Sequence, residues 1–176
     1  LELSPEVVEA SRFFSRENRN ALADPRSRLI VGDGRSHLRL TRTQYDAIVS
    51  EPSNPWMAGV ATLFTREVFQ AARDRLTAQG VFCQWAHTYE MGEDDFRSIV
   101  ATFVAVFPEA TLWLVGEGDV LLVGSRAGSL DSRLEAIARS WQRPGVAEDL
   151  ARVFVREPAS LLALYVADGP ALAAFS

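Results

Sequence analysis

Short runs of β-type residues alternate along this chain with longer stretches that have helical spacing. Apolar residues, many of them Val, Ile, Leu or Phe, dominate the runs at 28–31, 46–50 and 81–86. This alternation is typical of βαβ units and predicts a mostly parallel sheet with helices on both faces. Two further runs, 111–115 and 120–123, surround Gly116-Glu117-Gly118 and predict an antiparallel hairpin that closes the sheet. The pattern therefore favours an α/β fold.

Helix start and stop signals divide the rest of the chain. Ser4-Pro5-Glu6 supplies an N-cap, a proline at the first helical position and an acid in the first turn, which predicts a helix that ends near Leu22. Similar signals predict helices at 36–40, 65–79 and 93–107. Beyond residue 126 the strand patterns stop, and helices are predicted at 130–141, 147–153 and 159–166. We therefore expect an α/β domain over 1–126 and a helical extension over 127–176 packed on it.

The composition provides for one hydrophobic core. Of the 176 residues, 48% are apolar and 23% are charged, which is the balance of a soluble globular domain that needs no disulfide or metal to stay folded. The predicted elements direct one set of apolar side chains inward. We expect the core to include Val8, Phe14, Ile48, Val49, Phe69, Leu76, Phe103 and Leu122.

Charge and composition exclude several classes of function. The net charge of -5 argues against nucleic acid as a partner, because a phosphate-binding surface is normally a basic patch. One cysteine and two histidines do not supply a zinc site, and the chain contains no lysine for Schiff-base or P-loop chemistry. The apolar stretch 160–175 is interrupted by Asp168-Gly169-Pro170, so it is not a membrane-spanning helix. No signal-peptide pattern opens the sequence.

Polar residues that directly follow strands are the first candidates for a site, because ligands of open α/β sheets bind beyond the carboxyl ends of the strands. Glu2 stands at the end of a short apparent strand, where an acid can accept the two hydroxyls of a ribose. A solvated terminal glutamate is the simpler interpretation. Asp33, between Gly32 and Gly34, can accept a hydrogen bond from an adenine amino group. A tight turn with Asp33 as helix cap fits the residues equally well.

The third candidate is the loop Glu51-Pro52-Ser53-Asn54-Pro55-Trp56. A carboxylate, an amide and an aromatic ring project from a segment that two prolines stiffen, and such rigidity suits a base held against a substrate. A proline-rich surface turn with Trp56 packed on the domain is the alternative.

The strand at 81–86 adds weaker candidates. Cys83 is interpreted as a small core residue rather than a nucleophile. Gln84 and His87 follow the same strand end and fit a pocket wall. Because His87 has no serine or cysteine partner at a recognised spacing, a hydrolytic triad is not expected.

Four segments carry a resemblance to a known family. They are Leu1-Glu2-Leu3-Ser4-Pro5-Glu6-Val7, Val31-Gly32-Asp33-Gly34-Arg35, the stretch from Tyr45 to Pro55, and Leu63-Phe64-Thr65-Arg66-Glu67-Val68-Phe69. In order and spacing they resemble the spermidine synthase (polyamine aminopropyltransferase) family, which has the class I S-adenosylmethionine-binding Rossmann-like fold. The Glu-Pro-Ser-Asn-Pro-Trp version is most similar to a bacterial branch in which such a domain follows a membrane-embedded, transporter-like region.

This resemblance implies roles for individual residues. Glu51, with Asn54, is expected to be catalytic, and Glu2, Asp33, Gly34 and Glu51 are expected to bind the cosubstrate. Ser53, Asn54, Trp56 and Gln84 are expected to bind the amine substrate. The implied cosubstrate is decarboxylated S-adenosylmethionine, or S-adenosylmethionine itself, with no metal. The family also implies a cytoplasmic protein or the cytoplasmic domain of a membrane protein, and allows a homodimer.

Two departures from the family pattern keep alternatives open. Asn54 stands where the family usually has a second aspartate, and the family's first strand and Gly-rich loop are absent from the sequence, so we expect the chain to be a fragment of a longer protein. An S-adenosylmethionine-dependent methyltransferase is therefore the first alternative. The second is a non-catalytic nucleoside-binding domain of a membrane protein.

Overall fold

The chain divides into two compact units, Leu1–Arg42 and Thr43–Ser176. The computed structural model describes residues 1–53, 55, 57 and 59–176. The predicted division after residue 126 does not coincide with this one and stays a prediction. Within the described residues, no helix has the length and apolar character needed to cross a bilayer.

In the first unit, helix α1 covers Pro5–Ala10, and the Ser4 hydroxyl oxygen caps it by accepting the Val7 N–H. A 3₁₀ helix at Ser11–Phe14 follows directly. The predicted helix that ends near Leu22 is therefore too long. The helix stops because Asn18 donates its amide N–H to the Ser11 carbonyl, and because Arg19 and Asn20 take positive φ values.

The second half of this unit holds a short 3₁₀ helix, Ala21–Ala23, and helix α2, Gly34–Leu40. Before α2, Glu2 and Val31 form one parallel bridge, in which Glu2 N–H donates to the Ile30 carbonyl and Gly32 N–H donates to the Glu2 carbonyl. The strand predicted at 28–31 is thus reduced to this bridge, because Val31 is its only residue with a strand partner among the described residues.

The second unit contains a five-stranded sheet with the order β1-β2-β4-β3-β5. The strands are β1 Tyr45–Ser50, β2 Leu76–His87, β3 Thr111–Leu114, β4 Asp119–Ser125 and β5 Tyr165–Asp168. Its helices are a 3₁₀ helix at Val60–Phe64, α3 Arg66–Asp74, α4 Glu93–Val104, a 3₁₀ helix at Asp131–Arg133, α5 Leu134–Trp141, α6 Val146–Ala151, α7 Pro158–Leu162 and α8 Gly169–Phe175. The predicted α/β class is confirmed, as is the hairpin of β3 and β4.

Parallel pairing does not predominate in this sheet. Strands β1 and β2 are parallel, with Ile48 opposite Phe82, whereas the β2–β4, β3–β4 and β3–β5 pairs are antiparallel. The prediction of a mostly parallel sheet is corrected here, because the hairpin places β4 directly beside β2 and β5 adds a further antiparallel strand.

Strand β2 begins five residues earlier than its apolar run indicated. Helix α3 ends at Asp74, and β2 already pairs with β1 at Leu76 before the register shifts between Tyr45 and Ala47. Gly80 permits this irregular pairing, since a Cβ there would lie 2.9 Å from both the Tyr45 carbonyl oxygen and the Leu76 Cβ.

The predicted all-helical extension is wrong in its last part. A helix was expected at 159–166, but α7 ends at Leu162 and Tyr165–Asp168 forms β5 on the free edge of β3. Helix α8 follows, with the Asp168 side chain accepting the Ala171 N–H at its start. Leu, Tyr, Val and Ala are compatible with a helix and with a strand. The strand forms here because residues 165–168 can pair with the unoccupied edge of β3.

The core of the second unit is a cluster of four aromatic rings, Phe69, Phe82, Phe103 and Phe107, with centroids 5.0–5.9 Å apart. Four predicted core residues are confirmed as buried: Phe69, Leu76, Phe103 and Leu122. Two others, Val8 and Ile48, are partly buried.

Two core predictions are wrong, since Phe14 is 61% exposed and Val49 is 63% exposed. Phe14 ends a short 3₁₀ helix instead of lying inside a long amphipathic one. Val49 alternates with Ile48, so it faces away from the aromatic cluster on the edge strand β1.

Candidate functional site

The carboxyl ends of β1 and β2 bring two predicted site residues to one edge of the sheet. These strands are parallel, and Ser50, the last residue of β1, lies opposite Gln84. Glu51 follows Ser50 directly and is exposed. The exposed carboxylate and the Gln84 amide therefore belong to the same sheet edge, where α/β proteins place their ligands.

Gln84 is fully buried, and its side chain is incompletely satisfied. Its amide nitrogen donates to the Trp85 carbonyl at 2.9 Å, whereas its oxygen Oε1 has no hydrogen-bond partner among the described residues. An unsatisfied buried acceptor costs roughly 1–3 kcal/mol. A polar side chain kept at that cost at the same end of the sheet as Glu51 is suited to accept an N–H from a ligand.

The negative charge of Glu51 affects the Cys83 thiol on the neighbouring strand β2. Burial, together with the negative charge of Glu51, raises the pKa of Cys83 to about 11. The thiol is therefore protonated at neutral pH and is a poor nucleophile. This agrees with the interpretation of Cys83 as a small packing residue.

The end of β2 is fixed by contacts that the sequence did not reveal. His87 is buried, with its Nδ1 2.9 Å from the Tyr89 carbonyl oxygen and its ring stacked on Tyr89 at 4.3 Å. Thr88 N–H donates to the Gly118 carbonyl at 2.8 Å, which holds the β3–β4 turn against this end of β2. These contacts give His87 a structural role at the end of β2. In the sequence, only its position at the end of a predicted strand had indicated it.

In the first unit, Glu2 is half-buried and its carboxylate is already organised. Oε1 accepts the Ser4 N–H at 2.9 Å, while the Glu2 backbone forms the bridge with Val31. The carboxylate retains lone pairs for further donors.

Asp33 is the N-cap of α2, so the predicted cap is observed. Its Oδ1 accepts the Arg35 N–H at 3.0 Å, and its Oδ2 lies 3.1 Å from the Arg35 guanidinium and 3.2 Å from the Ser36 hydroxyl. The hydrogen bond from the Arg35 side chain, with smaller contributions from the backbone and Ser36, lowers the pKa of Asp33. These contacts hold an ionised carboxylate at a helix start.

The glycines on both sides of Asp33 are not required by the local structure. A Cβ at Gly32 or at Gly34 would meet no atom within 4 Å, and neither residue takes a positive φ. The open space beside both positions leaves the backbone accessible to a ligand.

The remaining predicted site residues divide as follows. Ser53 is exposed in the second unit, while Asn54 and Trp56 lie outside the described residues. Glu2, Asp33 and Gly34 belong to the first unit, and Glu51, Ser53 and Gln84 belong to the second. In the part of the chain that the structure describes, no group of three or more His, Cys, Asp or Glu side chains is arranged to hold a metal.

The family model of the spermine/spermidine synthase domain matches residues 1–115. Among curated relatives, the polyamine aminopropyltransferase of Thermotoga maritima is 30% identical over 110 residues, covering 61% of this chain and 36% of the relative. That of a Synechococcus species is 38% identical over 122 residues, covering 62% and 38%. Putrescine N-methyltransferase 2 of Nicotiana tabacum is 31% identical over 108 residues, covering 61% and 30%. The chain thus spans between 30% and 38% of the length of these relatives.

Solved structures show the same fold. A spermidine synthase in complex with the transition-state analogue AdoDATO matches with a TM-score of 0.77 and 18% identity, covering 99% of this chain and 60% of that chain. Human methyltransferase-like protein 13 in complex with SAH matches with a TM-score of 0.60 and 21% identity, covering 85% and 75%. The Rossmann-like class I fold predicted from the sequence is therefore confirmed.

Proposed function

Because the chain belongs to the spermine/spermidine synthase domain family, we propose that it serves aminopropyl transfer from decarboxylated S-adenosylmethionine to a diamine such as putrescine, with release of methylthioadenosine. The observation that carries this proposal is the exposed Glu51 carboxylate directly after β1, at the same end of the sheet as the buried Gln84 amide, whose oxygen has no hydrogen-bond partner among the described residues. A relative with 38% identity and one with 30% identity are both named polyamine aminopropyltransferase.

Glu51 is proposed as the general base. The sulfonium cosubstrate supplies a propyl carbon whose bond to sulfur breaks, leaving the electron pair on a thioether, as the amine nitrogen forms the new C–N bond. The Glu51 carboxylate orients the attacking amine and takes the proton that the nitrogen loses. The Gln84 Oε1 accepts another N–H of the same amine, and Ser53, Asn54 and Trp56 complete the amine site.

The nucleoside part of the cosubstrate is proposed to bind to residues of the first unit. The Glu2 carboxylate accepts the ribose hydroxyls, and Asp33 with the Gly34 backbone holds the adenine. The open space at Gly32 and Gly34 fits this role. Neither backbone conformation requires a glycine, and the missing side chain lets a ligand approach the backbone closely. The proposed cosubstrate site uses no metal.

Methyl transfer from S-adenosylmethionine is the second candidate. The similarity to putrescine N-methyltransferase 2 favours it, since that relative is as similar to this chain as several aminopropyltransferases are. The same base and the same nucleoside ligands serve both reactions. A role as a non-catalytic nucleoside-binding domain, a homodimer, a cytoplasmic location and a membrane region in a longer protein stay predictions.

Product analysis distinguishes these functions. The protein is incubated with putrescine and either decarboxylated S-adenosylmethionine or S-adenosylmethionine, and the products are identified by mass spectrometry. Aminopropyl transfer yields methylthioadenosine and spermidine, and methyl transfer yields methylputrescine. Glu51→Gln is expected to lower the rate by about a hundredfold or more, whereas Glu109→Gln, an exposed acid outside the site, leaves it unchanged. Absence of both products contradicts the proposed activities.

A calorimetric titration with methylthioadenosine tests the nucleoside site without turnover. Asp33→Ala is expected to abolish saturable binding. The matched variant Asp33→Asn keeps a good N-cap for α2, so it separates loss of the helix cap from loss of the carboxylate. Binding to the unchanged protein without any turnover would instead favour a nucleoside-binding domain, and equal binding by all three proteins would remove Asp33 from the site.

A further inference from the structure

A strained turn lies just beyond the carboxyl end of β2, at the same end of the sheet as Glu51. Glu90 takes a φ of 52°, in the left-handed region that residues with a side chain rarely adopt. Such a conformation persists only where the surrounding structure fixes it, and it occurs most often at functional sites. Because Glu90 itself is exposed, the contacts that fix it come from its neighbours in the chain.

This turn forms one wall of a cleft in the second unit. The cleft has a volume of about 430 Å³, and its described lining includes Glu90 and Met91 from the turn, Ile99 from α4 and Pro55 from the loop after β1. Pro55 is four residues after Glu51. The conformation of the turn therefore sets the shape of a cleft that the Glu51 loop also lines.

His87, the last residue of β2, contacts the turn from inside the protein. It is fully buried, its Nδ1 lies 2.9 Å from the Tyr89 carbonyl oxygen, and its ring stacks on the Tyr89 ring with centroids 4.3 Å apart. A carbonyl oxygen only accepts hydrogen bonds, so Nδ1 is the donor and carries the proton. His87 thus binds both the backbone and the ring of the residue that directly precedes Glu90.

The β3–β4 turn supports the same segment from a second direction. Thr88 N–H donates to the Gly118 carbonyl at 2.8 Å. A Cβ at Gly118 would lie 3.2 Å from both the Thr88 hydroxyl oxygen and the Tyr89 ring, so the two turns are closely packed. His87 itself is paired with Asp119 of β4 across the sheet. The position of a histidine fixed in the sheet is therefore transmitted to the turn through Tyr89.

We propose that His87 is a positioning residue of the site: acting through Tyr89, it holds Glu90 and Met91 in the strained turn that forms one wall of the cleft beside the Glu51 loop. Its effect on the reaction rests on the proposed function, in which an amine is brought to Glu51. The contact between His87 and the turn does not depend on that function, so the two are tested separately.

The ¹⁵N shifts of the His87 imidazole test this contact in the unchanged protein. Long-range ¹H–¹⁵N spectra are expected to show a proton on Nδ1 at neutral pH. His37→Gln identifies the His87 signals, because the chain has two histidines. A neutral ring with its proton on Nε2 would overturn the proposal, since Nδ1 would then have no proton to donate to the Tyr89 carbonyl.

Two amide variants separate the hydrogen bond from the space that the ring fills. His87→Asn places an amide N–H near the position of Nδ1, whereas His87→Gln places it near that of Nε2, and both remove the stacked ring. Heteronuclear ¹⁵N NOE values are expected to show more backbone motion at residues 89–91 in the Gln variant than in the Asn variant. The Thr88 amide of the Gln variant is expected to exchange with solvent about two- to tenfold faster.

Equal motion in the two variants would mean that His87 only fills space, and would overturn the proposal. Far-UV circular dichroism establishes that both variants are folded. If either is not, the proton position in the unchanged protein decides.

Steady-state kinetics with putrescine and decarboxylated S-adenosylmethionine test the effect on the reaction. His87→Gln is expected to raise the KM for putrescine about two- to fivefold with kcat unchanged, and His87→Asn to restore the KM. An unaltered KM in the Gln variant, with or without a lower kcat, would overturn the positioning role. If the unchanged protein releases no methylthioadenosine, the proposed function fails, and the NMR measurements still decide whether His87 holds the turn.

Discussion

The reactivity of the Cys83 thiol can be used to detect the charge on Glu51. Because Cys83 is the only cysteine of the chain, a thiol reagent measures this side chain alone. Burial and the Glu51 carboxylate together raise its pKa to about 11. Glu51→Gln removes the second cause, so the pKa falls and more thiolate is present at a given pH. We expect iodoacetamide to alkylate Cys83 about twofold faster or more at pH 9 in this variant.

The control for this measurement is Glu109→Gln, an exposed acid that is not among the causes of the Cys83 shift. It is expected to leave the alkylation rate unchanged. Equal rates in the Glu51 variant and the unchanged protein would show that the Glu51 charge does not affect the Cys83 thiol. That result would contradict the position of the Glu51 carboxylate near β2.

Individual site residues were predictable to different degrees. Glu51 and Asp33 follow from type and position, since an acid after a strand or before a helix leaves a clear pattern in the sequence. The free acceptor of Gln84 was not predictable, because the satisfaction of a buried amide depends on which distant atoms pack around it.

At the level of elements, Gly124 shows how closely β4 and the aromatic cluster pack. A Cβ at this position would lie 2.4–2.8 Å from Phe107, whose side chain is fully buried. Gly124→Ala is therefore expected to lower the free energy of unfolding by about 1–3 kcal/mol. Urea denaturation followed by far-UV circular dichroism measures this change.

Phe107→Ala provides a matched test of that explanation. It removes the Cγ and Cδ1 atoms that the new methyl group would meet at 2.4 and 2.6 Å, so Gly124→Ala should cost less in this background than in the unchanged protein, as a double-mutant cycle detects. Additive effects would mean that the glycine is needed for some reason other than the close approach of Phe107.

The elements themselves were predicted best where local signals and tertiary context agree. The hairpin of β3 and β4 and the start of α4 followed from turn residues and acids at the helix start. Strand β5 did not, because Tyr165–Asp168 is compatible with helix or strand and only pairing with β3 selects the strand. The overlong first helix failed because hydrogen bonds of Asn18 compete with the helix, an effect that spacing rules do not contain.

For the whole molecule, the raised pKa of Cys83 predicts a loss of stability in alkaline solution. The folded state holds the thiol proton up to about pH 11, whereas the unfolded chain releases it near the ordinary cysteine pKa of 9.0. Between these values the folded state binds more protons, so the free energy of unfolding falls as pH rises. The stability that the protonated thiol contributes, about 2–3 kcal/mol, is fully present below pH 9 and is lost by about pH 11.

Urea titrations at pH 8, 9, 10 and 11 measure this dependence, and Cys83→Ala is the reference. Tyr165, whose pKa is also raised mainly by burial, is retained in both proteins and cancels in the difference. The unchanged protein should lose stability relative to the variant across this range. Parallel curves for the two proteins would contradict the raised thiol pKa.

The separation of β3 and β5 along the chain has a consequence for synthesis on the ribosome. Translation delivers residues at about 5–20 per second, and the outer edge of β3 has no partner until residues 165–168 have emerged. During that interval the backbone groups of a partly apolar strand are open to pairing with other nascent chains. Strand β5 thus covers the outer edge of β3, and a chain arrested or cleaved before residue 165 is the form that we expect chaperones and proteases to recognise.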